Sequence, residues 1–153
     1  MRHYFQEVSY NTLDAPTTHF PIPDGDIVIS YQDEYPRNYY EPYNAQTNPD
    51  GYTNDRTERE HTLLRKAIEF IRDEVPVDLN IDGDNDGRVD NVTFLVYGSP
   101  DAWADLLWPH RWSLYSQYVT IHGKQVWDYN FNMETGGYFT VGTLAHEFNH
   151  SLS

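Results

Sequence analysis

The chain contains no cysteine, which excludes disulfide cross-links and thiol chemistry and leaves its compartment undecided. Basic residues are scarce: 10 Lys and Arg stand against 24 Asp and Glu, for a formal net charge of −14. Nucleic-acid binding needs clustered cations facing phosphates, and this balance argues against it. No apolar run approaches the roughly 20 residues of a membrane-spanning helix. The opening Met-Arg-His-Tyr-Phe-Gln-Glu lacks the apolar centre of a signal peptide, and no internal repeat is visible.

Acidic and aromatic residues are what the chain has in plenty. An acidic excess suits a protein that binds cations. At 16% aromatic with 13 Tyr, much of the packing must be done by rings whose hydroxyls need water or a partner. A length of 153 residues is enough for one domain with a real core, and residues 1–153 are read as a single domain.

The most specific chemistry lies in Thr140 to His150, Thr-Val-Gly-Thr-Leu-Ala-His-Glu-Phe-Asn-His. Residues four apart on an α-helix project from one face, so His146 and His150 can offer imidazole nitrogens to one metal ion. Glu147 beside them is placed to take a proton from a water, the division of labour in H-E-x-x-H metallopeptidases. Two imidazoles, one further ligand and a water suit zinc. Thr140 reads as the N-cap, and Val141, Leu144, Ala145 and Phe148 give the helix an apolar side. The plain alternative is an amphipathic helix with two satisfied histidines and a solvated glutamate.

A second cluster of acid groups runs through Asp78, Asp82, Asp84, Asp86 and Asp90. Carboxylates packed into one turn repel one another unless they share a hard cation. Asp82, Asp84 and Asp86 alternate as in the first half of a calcium loop, with Gly87 allowing the bend, the Arg88 carbonyl and Asp90 completing the cage. A register beginning at Asp78 is the other choice. Neither reaches a Glu at the twelfth position, so this is not a full EF-hand; a solvated Asp-Gly turn is the competing reading.

Around these motifs the sequence sets out a frame. Residues 2–8 are helix or strand, and Asp14 to Pro23 is irregular, with three prolines. Asp24-Gly25 is a turn, and residues 26–31 read as a strand. Residues 32–55, rich in Tyr, Pro, Asn and Asp, form a long loop best taken as structural filler. Thr57-Glu58-Arg59-Glu60 has capping-box spacing and opens a helix to about Glu74. Leu63, Leu64, Ala67, Ile68 and Ile71 face the core there, while Arg59, Arg65, Lys66, Glu69 and Arg72 face water. Residues 91–98 read as a strand apolar enough to be central in a sheet. His110, between Trp108 and Trp112, reads as a packed histidine. Residues 117–121 and 124–129 flank His122-Gly123 as a hairpin, and Asn130 to Gly137 leads into the last helix.

Taken together and in order, these residues resemble the immune inhibitor A family of secreted zinc metallopeptidases. The likeness rests on four stretches: an early Tyr-x-x-x-Ser-Tyr segment, with Phe5 in its first place and Ser9-Tyr10 at its end; the Asp-rich run from Asp82 to Asp90; Trp108-x-His110-x-Trp112; and Glu134 followed by His146-Glu147-Phe148-Asn149-His150. It spans nearly the whole chain. It implies His146 and His150 as zinc ligands, Glu147 as general base, a third ligand past Ser153, secretion, and a protein or peptide substrate. Asn149 stands where that family often has glycine, and Ser153 where a glycine ends the helix.

The expected fold is therefore α/β (α+β): a zincin-like mixed twisted sheet, a backing helix over about 57–74 and the H-E-x-x-H helix beneath. In that reading the chain is the N-terminal subdomain of a metallopeptidase catalytic domain, cut at its C-terminus, and zinc and calcium are its expected ions. The leading alternative is a non-catalytic, calcium-stabilised binding or scaffold fragment with an incomplete metal site; a hydrolase of non-peptide substrates is another.

Overall fold

The computed structural model describes residues 2–135, 137 and 139–152. In chain order these residues form α1 (Arg2–Val8), a 3-10 turn (Arg37–Tyr40), α2 (Arg56–Ile71), β1 (Val92–Val96), β2 (His110–Ser113), β3 (Thr120–Ile121), β4 (Lys124–Gln125), β5 (Asp128–Met133) and α3 (Val141–Ser151). Helices and a small mixed sheet together make the fold α+β.

The sheet is built on β5. It pairs in parallel with β1 (Val92 opposite Tyr129, Val96 opposite Met133) and antiparallel with β2 (His110 opposite Phe131, Ser113 opposite Asp128), giving the order β1-β5-β2. The sequence reading made residues 91–98 a central strand, and this is corrected: β1 is an edge, with Leu95 half-exposed. The central strand is the less apolar Asp-Tyr-Asn-Phe-Asn-Met, which alternates with period two. Tyr129, Phe131 and Met133 enter the core, and Asn130 and Asn132 are buried on the opposite face.

Helix α2 buries Glu60, His61, Leu64 and Ile68 along one face. Leu63 and Ile71 are partly buried against the same core. The expected capping box does not form. Glu60 turns into the core instead, and the N-cap position falls to Asp55, which makes no side-chain cap bond. Arg59, expected in water, is pinned: its guanidinium lies 3.8 Å from the Tyr39 ring centre and donates to the Tyr39 carbonyl at 2.6 Å and the Asp50 carbonyl at 2.8 Å. That anchor draws residues 32–55 onto α2. Tyr40, Asn48 and Tyr52 are buried, and Tyr35 stacks on Tyr39 with ring centres 4.1 Å apart, so the segment packs as filler.

Residues 26–31 do not form the expected strand. Asp24 and Ile27 exchange backbone hydrogen bonds of 3.1 and 3.0 Å around a tight turn, and Val28 is 85% exposed. A strand needs a partner along its length for its N–H and C=O groups, and among the described residues only Ile27 is paired, in the single bridge to Asp24. The β3–β4 hairpin forms where expected, with φ of 48° at His122 and 80° at Gly123, both left-handed as a two-residue turn of this kind requires. Its second arm is short: after Val126, whose N–H still bonds the Val119 carbonyl at 3.0 Å, the chain leaves this ladder and joins the larger sheet as β5.

Candidate metal centre

Thr140 caps α3 by accepting the backbone N–H of Thr143 on its hydroxyl at 3.1 Å, as its sequence position suggests. Below the cap, Ala145 is buried and Phe148 partly so, against Phe5, Leu13 and Ala15. The rings of Phe5 and Phe148 are 5.2 Å apart. Val141, expected on the buried side, is half-exposed. A small apolar cluster thus holds one side of α3 to the N-terminal segment. Helix α3 also contacts β2 and β5.

The imidazoles of His146 and His150 meet edge to face, with Nε2 atoms 3.3 Å apart. Two nitrogens bound at ~2.0–2.1 Å to one tetrahedral zinc ion stand about 3.3 Å from each other, so the spacing matches that of two ligands of a shared ion. Both histidines are exposed, whereas Glu147 is 8% exposed. One ligand atom from each of the three residues falls within 4.8 Å of the others. The nitrogen donors are two neutral-capable imidazoles, a pair that suits a borderline ion such as zinc rather than calcium, and the Glu147 carboxylate stands beside them.

Beneath α3 the sheet is polar. Asn91, just before β1, donates its amide to the Ser151 hydroxyl at 3.1 Å and to Asp128 at 3.4 Å. Its carbonyl accepts from the Asn130 amide at 3.2 Å and the Thr93 hydroxyl at 3.1 Å. Arg111 pairs with Asp128 on the same floor. Buried there and without a hydrogen-bond partner among the described residues are Asn130 Oδ1, Asn132 Nδ2 and Arg111 Nε.

The acidic loop is assembled in part. Carboxylate oxygens of Asp82, Asp84 and Asp86 lie within 4.8 Å of one another, with Asp82 buried and the other two exposed. Asp82 Oδ2 accepts from the Lys124 ammonium at 2.5 Å and from the Gly87 N–H at 3.2 Å, while Asp82 Oδ1 is buried with no partner. The Lys124 hydrogen bond, and with it the loop N–H groups and the ammonium charge, hold the Asp82 carboxyl below its ordinary pKa against the cost of burial. Asp90 does not join: both its oxygens accept the Gly83 N–H, at 3.0 and 3.1 Å. The Arg88 guanidinium lies over the Trp127 ring at 4.9 Å. Asp84 and Asp86 also accept the backbone N–H groups of Asp86 and Arg88, at 3.1 and 2.8 Å, so the loop is ordered by its own side chains.

Sequence reasoning missed a buried polar knot. Glu60 Oε1 accepts from the Tyr129 hydroxyl at 2.5 Å and faces His110 Nε2 at 2.8 Å, and His61 Nδ1 lies 2.8 Å from the Ser116 hydroxyl. His110 is packed as expected, but on Phe131, with ring centres 5.2 Å apart, and not between the tryptophans; Trp112 is 55% exposed. The available signal was that Glu60 and His61 share the α2 face of Leu64 and Ile68. Asn91 carried no signal beyond its place after the acidic run. No family model matches the chain, and no curated protein matches it.

Proposed function

We propose that this chain belongs to a secreted, zincin-like, zinc-dependent endopeptidase, with His146 and His150 holding the ion and Glu147 acting as general base. The observation that carries the reading is the 3.3 Å separation of the two Nε2 atoms with the Glu147 carboxylate alongside. A mixed sheet lying over the motif helix, with a second helix behind it, is consistent with the fold this implies. Zinc, when bound, would supply Lewis acidity that polarises a substrate carbonyl and makes a nearby water easier to deprotonate.

The rest of the chemistry belongs to the side chains. Glu147 is recessed beside two exposed imidazoles, so its carboxylate takes a proton in a less hydrated setting than its neighbours and can return it to the departing amine. The substrate is a protein or peptide. Casein hydrolysis by the full protein tests this. Glu147→Gln is expected to lower the rate by about 10²–10⁴ with zinc still bound, and His146→Ala to lose the zinc. Undiminished hydrolysis in Glu147→Gln, or full zinc content in His146→Ala, sinks the assignment.

The acidic loop is proposed as a structural calcium site. Asp82 Oδ1, buried and unpartnered, supports this, since a hard cation shared with Asp84 and Asp86 would satisfy it. One observation favours the non-catalytic scaffold reading: at 3.3 Å the two histidines can satisfy each other through an N–H···N bond with no ion at all. In that case calcium stabilises the chain but no zinc-dependent hydrolysis exists to inhibit.

A further inference from the structure

We infer that Asn91 is a positioning residue for the second histidine, acting through Ser151. This rests on the zinc reading for its consequence, though the tether itself does not. Helix α3 is held on one side by the apolar cluster of Phe5, Leu13, Ala15, Ala145 and Phe148. Apolar contact is non-directional and leaves a helix free to slide or roll by fractions of an ångström. On its other side α3 meets a polar floor, where position is set by directional bonds.

The bond available there is Asn91 Nδ2 to Ser151 Oγ, 3.1 Å long, and Ser151 immediately follows His150. Asn91 is suited to the task because its carboxamide has no slack. Two donor contacts run to Ser151 and Asp128, and two acceptor contacts to Asn130 and Thr93, so the amide plane is fixed by residues on β1 and β5. The last turn of α3 is therefore registered against the centre of the sheet. His150 inherits that register, and with it the Nε2–Nε2 spacing. Asn91 acts through Ser151, as the outer partners of metal ligands do, by removing freedom from the turn that carries His150.

Asn91→Ala breaks four contacts at once and risks unfolding, so the deciding variant is Ser151→Ala, with Ser151→Thr as the conservative control. In metal-free full protein, amide hydrogen exchange over 147–151 is expected to quicken about fivefold in Ser151→Ala, the size of one neutral hydrogen bond, and to return in Ser151→Thr. Zinc affinity, measured by chelator competition, is expected to fall about tenfold in Ser151→Ala. Unchanged exchange in Ser151→Ala overturns the tether. Quickened exchange with unchanged zinc affinity overturns its role at the histidine. If the wild-type protein takes up no zinc, the peptidase reading fails, and exchange in the metal-free protein still decides whether Asn91 holds the helix.

Discussion

Glu60 and His110 face each other inside the core, Oε1 to Nε2 at 2.8 Å, joining the second turn of the backing helix to the first residue of β2. Burial penalises charge on both. For Glu60 the hydrogen bond and charge of His110, with the Tyr129 hydroxyl, outweigh that penalty and hold its carboxyl below the ordinary range. For His110 the Glu60 bond and charge likewise win and hold the imidazole above its ordinary value. Both His110 nitrogens face acceptors, the Trp108 carbonyl at 2.5 Å and Glu60 at 2.8 Å, so the protonated imidazole and the carboxylate form an ion pair below the raised imidazole value.

The pair makes stability depend on pH in a definite sense. The contribution of Glu60 is present above the ordinary carboxylate pKa of 4.5 and is lost as acid titrates its depressed group. That of His110 is complete below the ordinary imidazole value of 6.5 and is lost as pH climbs through the raised one. Urea denaturation of wild type against Glu60→Gln should therefore show the widest gap between those two values, on the order of 3 kcal/mol, narrowing as pH climbs through the raised imidazole value. A gap that goes on widening as pH rises above 6.5 contradicts the pairing.

Gly51 lies where a side chain has no room. A Cβ there would stand 2.5 Å from Asn48 Nδ2 and 2.6 Å from the Pro42 carbonyl group, breaking the Asn48 contacts that close residues 42–52. Gly51→Ala should cost about 1–3 kcal/mol in chemical denaturation, although the residue touches neither acidic loop nor histidines.

Calcium should raise the melting temperature of the wild-type protein and leave that of Asp84→Asn little changed. Asp84 is exposed, so the substitution removes a ligand without disturbing the core. With the ion at a hundred times its dissociation constant, the gain is about 2.7 kcal/mol. Identical melting curves with calcium and with chelator refute the site.

Thr140→Ala removes the hydroxyl that accepts the Thr143 N–H and should lower stability by about 1 kcal/mol. Thr140→Asn should recover most of it. Equal unfolding midpoints for all three proteins would mean that the cap contributes nothing.

Legibility from sequence followed the range of each interaction. The motif helix, its cap and the β3–β4 turn were readable because a few neighbouring residues determine them: a hydroxyl before an apolar run, and His-Gly where two left-handed residues are needed. The central strand was not, because Asp128 to Met133 becomes central only through pairing with segments near residues 94 and 112, and its buried Asn130 and Asn132 disguise it. The apolar residues 27–29 misled for the converse reason: they have strand composition, but their pairing among the described residues ends at the single Asp24–Ile27 bridge. At the sites, spacing brought His146, Glu147 and His150 together and likewise Asp82, Asp84 and Asp86, yet Asp90 turned to a nearer donor in Gly83. Glu60 looked like a capping residue because the knot it joins, with His110 and Tyr129, spans 69 positions of sequence.

The packing of Phe5 and Ala15 on Ala145 and Phe148 makes the first turns of the chain a mechanical extension of the histidine helix. Anyone preparing this protein should accordingly keep affinity tags and fluorophores away from residues 2–15. Bulk that displaced Phe5, Leu13 or Ala15 would shift the surface on which Ala145 and Phe148 rest, one residue before His146 and two before His150.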